Sequence, residues 1–107
     1  EFTLKKGAEI KDIIQDTKNV ILETTYSSRI KRILVFGSAI DNTQTFLSDI
    51  DISVDFKEIT RKEATKFRLE VMRKAHPKID IQVYNILPKK IKDQIDQNGK
   101  IIYKIKD

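Results

Sequence analysis

Asp49 and Asp51 are the residues best placed to do chemistry. They open a stretch, Asp49 to Phe56, in which polar and apolar residues alternate strictly. Asp49, Asp51, Ser53 and Asp55 fall on one face of a strand, and Ile50, Ile52, Val54 and Phe56 on the other. Carboxylates at i and i+2 of a strand point the same way, with Cα atoms roughly 6.5–7 Å apart. Their oxygens can converge on one ion or on two adjacent ions. An oxygen-only donor set suits a hard divalent cation, Mg²⁺ or Mn²⁺. Asp is depleted in strands, so a merely solvated face would more often carry Thr, Lys or Glu. Asp55, further along, is expected to be solvated in that ordinary way.

Ten residues earlier, the apolar run Ile33-Leu34-Val35-Phe36 ends in Gly37-Ser38. Such a run reads as a buried strand. Glycine lets a backbone approach a ligand closely, and the serine hydroxyl and neighbouring N–H groups can donate to phosphate oxygens. Ser38 also suits the N-cap of a helical turn, and the two roles are compatible.

Gly37-Ser38, ten residues, then Asp49-x-Asp51 resembles the GS-x10-DxD signature of the DNA polymerase β-like nucleotidyltransferase superfamily. The short chain points to its minimal nucleotidyltransferase (MNT) branch. Neither half of the motif is specific alone; together, at this spacing and between two strands, they are. In that superfamily a third Asp on a later strand completes a carboxylate triad. Asp80, in Lys78-Ile-Asp-Ile-Gln-Val-Tyr84, matches that position, although a solvent-facing residue of an edge strand is the ordinary alternative. The helix–Gly–strand ending Asp96-x-x-Gly99-x-x-Ile102-Tyr103 is also similar to the minimal members. The resemblance runs from Ile30 to Tyr103.

The resemblance implies transfer of a nucleoside monophosphate, AMP from ATP, to a hydroxyl. Asp49, Asp51 and Asp80 are the implied catalytic and metal-binding residues, with Mg²⁺ (or Mn²⁺) as cofactor. Gly37 and Ser38 are the implied nucleotide-binding residues, holding the β- and γ-phosphates. A chain this short leaves little room for an acceptor site, so the acceptor is expected on a partner protein. The family resemblance implies a HEPN-type toxin, with this chain as antitoxin. Two alternatives are an antitoxin that works by occlusion with an inert triad, and the catalytic domain of a longer nucleotidyltransferase. One departure bears on activity: many minimal members continue GSxARG, whereas this chain has Ala39-Ile40-Asp41-Asn42. The missing base would weaken one phosphate contact, and Asp41 would add repulsion if it faced the nucleotide; with the triad whole, a competent site with altered nucleotide handling is expected.

The elements that must position these residues are legible from periodicity. Residues 7–25 read as a helix with the stripe Ile10, Ile13, Ile14, Thr17, Val20 and Ile21. Strands follow at 30–36 and 49–56, joined by a polar loop over 38–47. Thr60 and Glu63 form a capping box for a helix whose inward face is Ala64, Phe67, Val71, Met72 and Ala75, ended by His76-Pro77. A third strand spans 78–84, a short helix 88–98 carries Ile91 and Ile95 inward, Gly99 suits a left-handed C-cap, and a last strand spans 100–105. The expected fold is α+β in the order α-β-β-α-β-α-β: a mixed, mainly antiparallel sheet with helices mostly on one face. All 107 residues read as one domain.

Composition narrows the partners. With 21 Lys+Arg against 16 Asp+Glu the net charge is +5, which mildly favours anionic ligands. Direct nucleic-acid binding is not favoured. The basic residues Arg61, Lys62, Lys66, Arg68, Arg73 and Lys74 are interleaved with acids and read as the solvated face of a helix. His76 reads as structural, a charge at a helix C-terminus; Tyr84 and Tyr103 read as packing residues. The absence of cysteine excludes disulfides and thiolate metal sites. No apolar run approaches 18 residues and no signal peptide appears, so a cytoplasmic, non-membrane protein is expected.

Overall fold

The computed structural model describes residues 10–36 and 49–106. The elements are α1 (Ile10–Leu22), β1 (Ile30–Phe36), β2 (Ile50–Phe56), α2 (Arg61–Met72), β3 (Ile79–Val83), α3 (Lys89–Asn98) and β4 (Lys100–Lys104). Their order is the expected one. The expected loop over 38–47, and residues 7–9 of the first helix, lie outside the described residues.

The four strands form one sheet in the order β3-β2-β1-β4. β1 is antiparallel to both β2 and β4, while β2 and β3 are parallel. A parallel pair needs a crossover, and α2 supplies it. One face of the sheet buries Ile33 and Val35 of β1, Ile50, Ile52, Val54 and Phe56 of β2, and Ile79, Ile81 and Val83 of β3. They form a single cluster with Ile13 and Ile21 of α1 and Ala64, Phe67 and Val71 of α2. Phe67 meets Phe56 edge-on, with ring centroids 4.9 Å apart. Ile30 joins the same core three residues before Ile33 because a bulge lies between Ile30 and Arg32. Thr17 is buried in the α1 stripe without an orphaned hydroxyl, since its Oγ1 donates to the Ile13 carbonyl at 2.8 Å.

The third helix goes to the opposite face. Ile95 and Gly99 meet Leu34, whose side chain projects away from the main core. Two helices therefore cover one face and α3 covers part of the other.

The capping box forms as expected: Thr60 Oγ1 accepts from the Glu63 N–H at 3.1 Å, and Glu63 Oε1 accepts from the Thr60 N–H at 3.0 Å. Glu63 also pairs with both terminal guanidinium nitrogens of Arg29, Nη1 at 3.2 Å and Nη2 at 2.7 Å. These hydrogen bonds, Arg29 first, lower its carboxyl from 4.5 to about 2.

Several local expectations are corrected. Met72 is 47% exposed, because it follows Val71 by 100° of helical turn and rotates off the Ala64–Phe67–Val71 stripe. The helix ends at Met72, four residues short of His76. His76 is buried beyond the helix end, and burial lowers its pKa, so it is not a helix-terminal charge. Its Nδ1 accepts from the Lys78 N–H at 3.0 Å. Gly99 is extended (φ −70°, ψ 146°) rather than left-handed. Glycine is required there by space: a Cβ would lie 2.5 Å from the Ile95 carbonyl oxygen.

The β2–β3 register is held at both ends. At the start, the Ile50 N–H donates to the Lys78 carbonyl at 2.8 Å. At the end, the Asn85 side chain acts as a strand residue: Oδ1 accepts from the Phe56 N–H at 2.9 Å and Nδ2 donates to the Phe56 carbonyl at 2.8 Å. Asn85→Ala would strand both backbone groups and is expected to cost about 1–3 kcal/mol in urea unfolding. Glu63 gives a pH signature. Its folded pKa is depressed, so its stabilisation is present above the unfolded value and lost as pH falls from 4.5 through about 2. Thermal unfolding across that window should show a shallower acid loss in Glu63→Gln than in the parent.

Candidate active site

The carboxylates stand on the face of the sheet away from the main core. Register builds this face in rows. Phe36, Asp51 and Asp80 are partners across β1, β2 and β3. Leu34, Ser53 and Gln82 form the next row. Arg32 and Asp55 form the third. Neighbouring strands lie about 4.8 Å apart, so the Asp51 and Asp80 side chains project side by side. Asp49 precedes β2 by one residue and is exposed, while Asp51 and Asp80 are half-buried.

The electrostatics of this row are unfavourable for the empty protein. Asp51 has its carboxyl pushed above the usual carboxylate range, first by burial, then by the charges of Asp80 and Asp49. Asp80 is tied down from the next row, where Gln82 Nε2 donates to its Oδ2 at 3.1 Å. Among the described residues no three acidic, histidine or cysteine side chains close into a metal cage. Asp51 and Asp80 offer oxygen donors from adjacent strands, open toward the exposed Asp49. That donor set fits Mg²⁺, which takes one or two carboxylates and completes its shell with water and substrate phosphate oxygens. Gly37 and Ser38 lie outside the described residues, as does the departure at 39–42.

The third row was misjudged from sequence. Asp55 is 5% exposed rather than solvated. It accepts from Arg32 Nε at 2.7 Å, and Arg32 Nη2 reaches Asp96 of α3 at 2.9 Å. The Tyr84 hydroxyl donates to the other Asp96 oxygen at 2.8 Å, and the Arg32 guanidinium lies 4.9 Å from the Tyr84 ring centroid. These contacts pin α3 to the sheet and separate the acid row from the far end of the face. The basic face of α2 is solvated as expected, except that Arg68 Nε donates to the Ile81 carbonyl of the edge strand β3 at 2.9 Å.

This arrangement has known counterparts. The sequence profile of the family described as Polymerase beta, Nucleotidyltransferase matches residues 8–107. The chain belongs to this family. Two candidate protein adenylyltransferases of Methanocaldococcus jannaschii are similar in sequence. MJ0128 is 44% identical over 55 residues, 51% of this chain and 53% of that protein. MJ0435 is 30% identical over 83 residues, 77% of this chain and 89% of that protein. The match thus spans about half the length of the first. Among solved structures, a toxin–antitoxin with AMP-PNP superposes with a TM-score of 0.64 at 19% identity, covering 85% of this chain and 73% of that one. An MNT antitoxin in complex with tri-AMPylated Shewanella oneidensis HEPN toxin superposes with a TM-score of 0.58 at 16% identity, covering 87% and 73%. At these identities the likeness is one of fold. No helix among the described residues is long and apolar enough to cross a membrane.

Because burial and two neighbouring acids disfavour the charged form of Asp51, Asp51→Asn is expected to raise the melting temperature of the protein by a few degrees at neutral pH. The sign follows from linkage. A raised folded pKa stabilises the protein at low pH, and that contribution is lost as pH rises through it. The gain in Asp51→Asn should therefore shrink as the pH is lowered.

Proposed function

We propose that this chain is a Mg²⁺-dependent nucleotidyltransferase that moves AMP from ATP to a hydroxyl on a partner protein, a HEPN-type toxin. The observation that carries this reading is the in-register Asp51–Asp80 pair, with Asp49 two residues before Asp51, on a face the main core leaves free. Family membership and relatives named as candidate protein adenylyltransferases support the reaction class. Fold neighbours crystallised as toxin–antitoxin pairs support the kind of partner.

In this mechanism Asp49, Asp51 and Asp80 would hold Mg²⁺, or Mn²⁺ in its place. The bound cation supplies charge neutralisation at the triphosphate. Gly37 and Ser38 receive the β- and γ-phosphates through backbone N–H groups and the serine hydroxyl. Asp80 would ligate the ion nearest the acceptor and help take the proton of the attacking hydroxyl. The acceptor oxygen forms its bond to the α-phosphorus as the bond to the pyrophosphate oxygen breaks, and pyrophosphate leaves. The protein contributes mainly position and electrostatics.

A second reading is an antitoxin that binds and occludes its partner without transfer. It is favoured by Ala39-Ile40-Asp41-Asn42, where a basic residue is missing and an acid stands instead. One experiment separates the two. With radiolabelled ATP, Mg²⁺ and the HEPN-type partner, the parent should label the partner, and Asp49→Asn/Asp51→Asn should reduce labelling at least 100-fold. If the double variant still neutralises the partner fully, occlusion accounts for the antitoxin effect.

A further inference from the structure

We propose that Gln82 is the positioning residue for Asp80, and that it sets how tightly the acid row holds a divalent cation. This rests on the nucleotidyltransferase reading above and adds to it a residue from the second row of the site face.

Asp80 is the carboxylate carried by the edge strand of the sheet. It sits on β3, which pairs on one side only, to β2. A short side chain on an edge strand has free rotation about χ1 and χ2 unless something fixes it. Gln82 is two residues on, on the same face, and its side chain reaches back to donate to Asp80 Oδ2 at 3.1 Å. A charged carboxylate oxygen only accepts, so the amide nitrogen is the atom that must face it. With Oδ2 held from the Gln82 side, the remaining acceptor capacity of Asp80 is available toward Asp51.

Ser53 lies beside Gln82 on the neighbouring strand. It is the register partner of Gln82 and of Leu34, and it is fully buried. Its Oγ has no hydrogen-bond partner among the described residues. An unpartnered buried hydroxyl is unfavourable, and Val or Thr would be the usual strand choice.

Partners of metal-ligating carboxylates typically contribute 10–100-fold in metal affinity or activity. Gln82→Leu keeps the bulk and removes the donor. We expect it to weaken Mn²⁺ affinity, read by electron paramagnetic resonance with a non-hydrolysable ATP analogue, 10–100-fold, and to lower kcat for partner labelling by a similar factor with KM for ATP changed less. Gln82→Asn, which keeps the amide, should recover part of both. Gln82 is half-buried, so folding is checked by the melting temperature of each variant. Asp80→Asn is run alongside. If Asp80→Asn labels and binds Mn²⁺ as the parent does, the nucleotidyltransferase assignment of Asp80 fails. If Asp80→Asn is impaired while folded Gln82→Leu matches the parent in both readouts, the positioning role of Gln82 alone is overturned.

Discussion

The parallel pairing of β2 with β3 is the constraint on which the site depends. Asp51 and Asp80 are 29 residues apart in sequence, and nothing local brings them together. They meet because α2 carries the chain back so that β3 lies parallel to β2, with Asp51 opposite Asp80 and Ile52 opposite Ile81. A slip of one residue would move Asp80 into the core and Ile79 or Ile81 onto the site face. The register is therefore enforced twice over. Three isoleucine and valine side chains of β3 are buried against α2 and β2, and polar contacts close both ends of the pair. The Lys78 carbonyl holds the first end and the Asn85 amide the second. The helix that makes the crossover is itself fixed at its start, by the Thr60–Glu63 box and the Arg29–Glu63 pair.

The two faces of the sheet divide the work. One is apolar and continuous from Ile30 to Val83, and supplies the burial that stabilises the fold. The other is assembled from polar rows, and it would be a poor core. Arg32 resolves much of its cost by serving Asp55, Asp96 and the Tyr84 ring at once. That network uses up the charges at one end of the face. At the other end no ion pair joins Asp49, Asp51 or Asp80 to a cationic side chain among the described residues, and Asp51 feels the two other acids as repulsion. The difference between the ends is the electrostatic contrast on which the proposed ligand role of the acid row rests.

Much of this was legible in the sequence because it rests on periods and spacings. Strict alternation over 49–56 gave the strand and its two faces, Thr60 and Glu63 gave the helix start, and the interval from Gly37-Ser38 to Asp49 gave the family resemblance. What sequence could not show depends on partners far apart in the chain. Asp55 looks solvated in a strand read alone; its burial follows from Arg32 across the pair and from α3 above, brought there by Asp96. Gly99 looks like a left-handed cap, and only the closeness of the Ile95 carbonyl and Leu34 shows that it is selected for lack of a Cβ. Asn85 gave no signal, because an amide substituting for a strand residue has no local pattern. Met72 was misplaced by a single helical step. Gln82 was on the right face from alternation, but its bond to Asp80 needed side-chain coordinates.

The sequence between Ser38 and Asp49 gives the electrostatic argument its last step. Where similar minimal members carry a basic residue after the Gly-Ser, this chain carries Asp41. In the proposed reaction a nucleoside triphosphate approaching Asp49, Asp51 and Asp80 would meet like charge, and the Gly37-Ser38 motif of this chain is not followed by the basic residue that would offset it. In the proposed reaction the offset must come from the cation held by the acid row. Binding of cation and of nucleotide are then coupled more tightly than in a site with its own basic residue, since neither charge is tolerated well alone. Such coupling puts a premium on holding each carboxylate in one orientation before the ligands arrive, because disorder in any of the three would be removed at the expense of binding. The edge-strand position of Asp80 is where that disorder would enter, and the Gln82 amide is the contact that closes it.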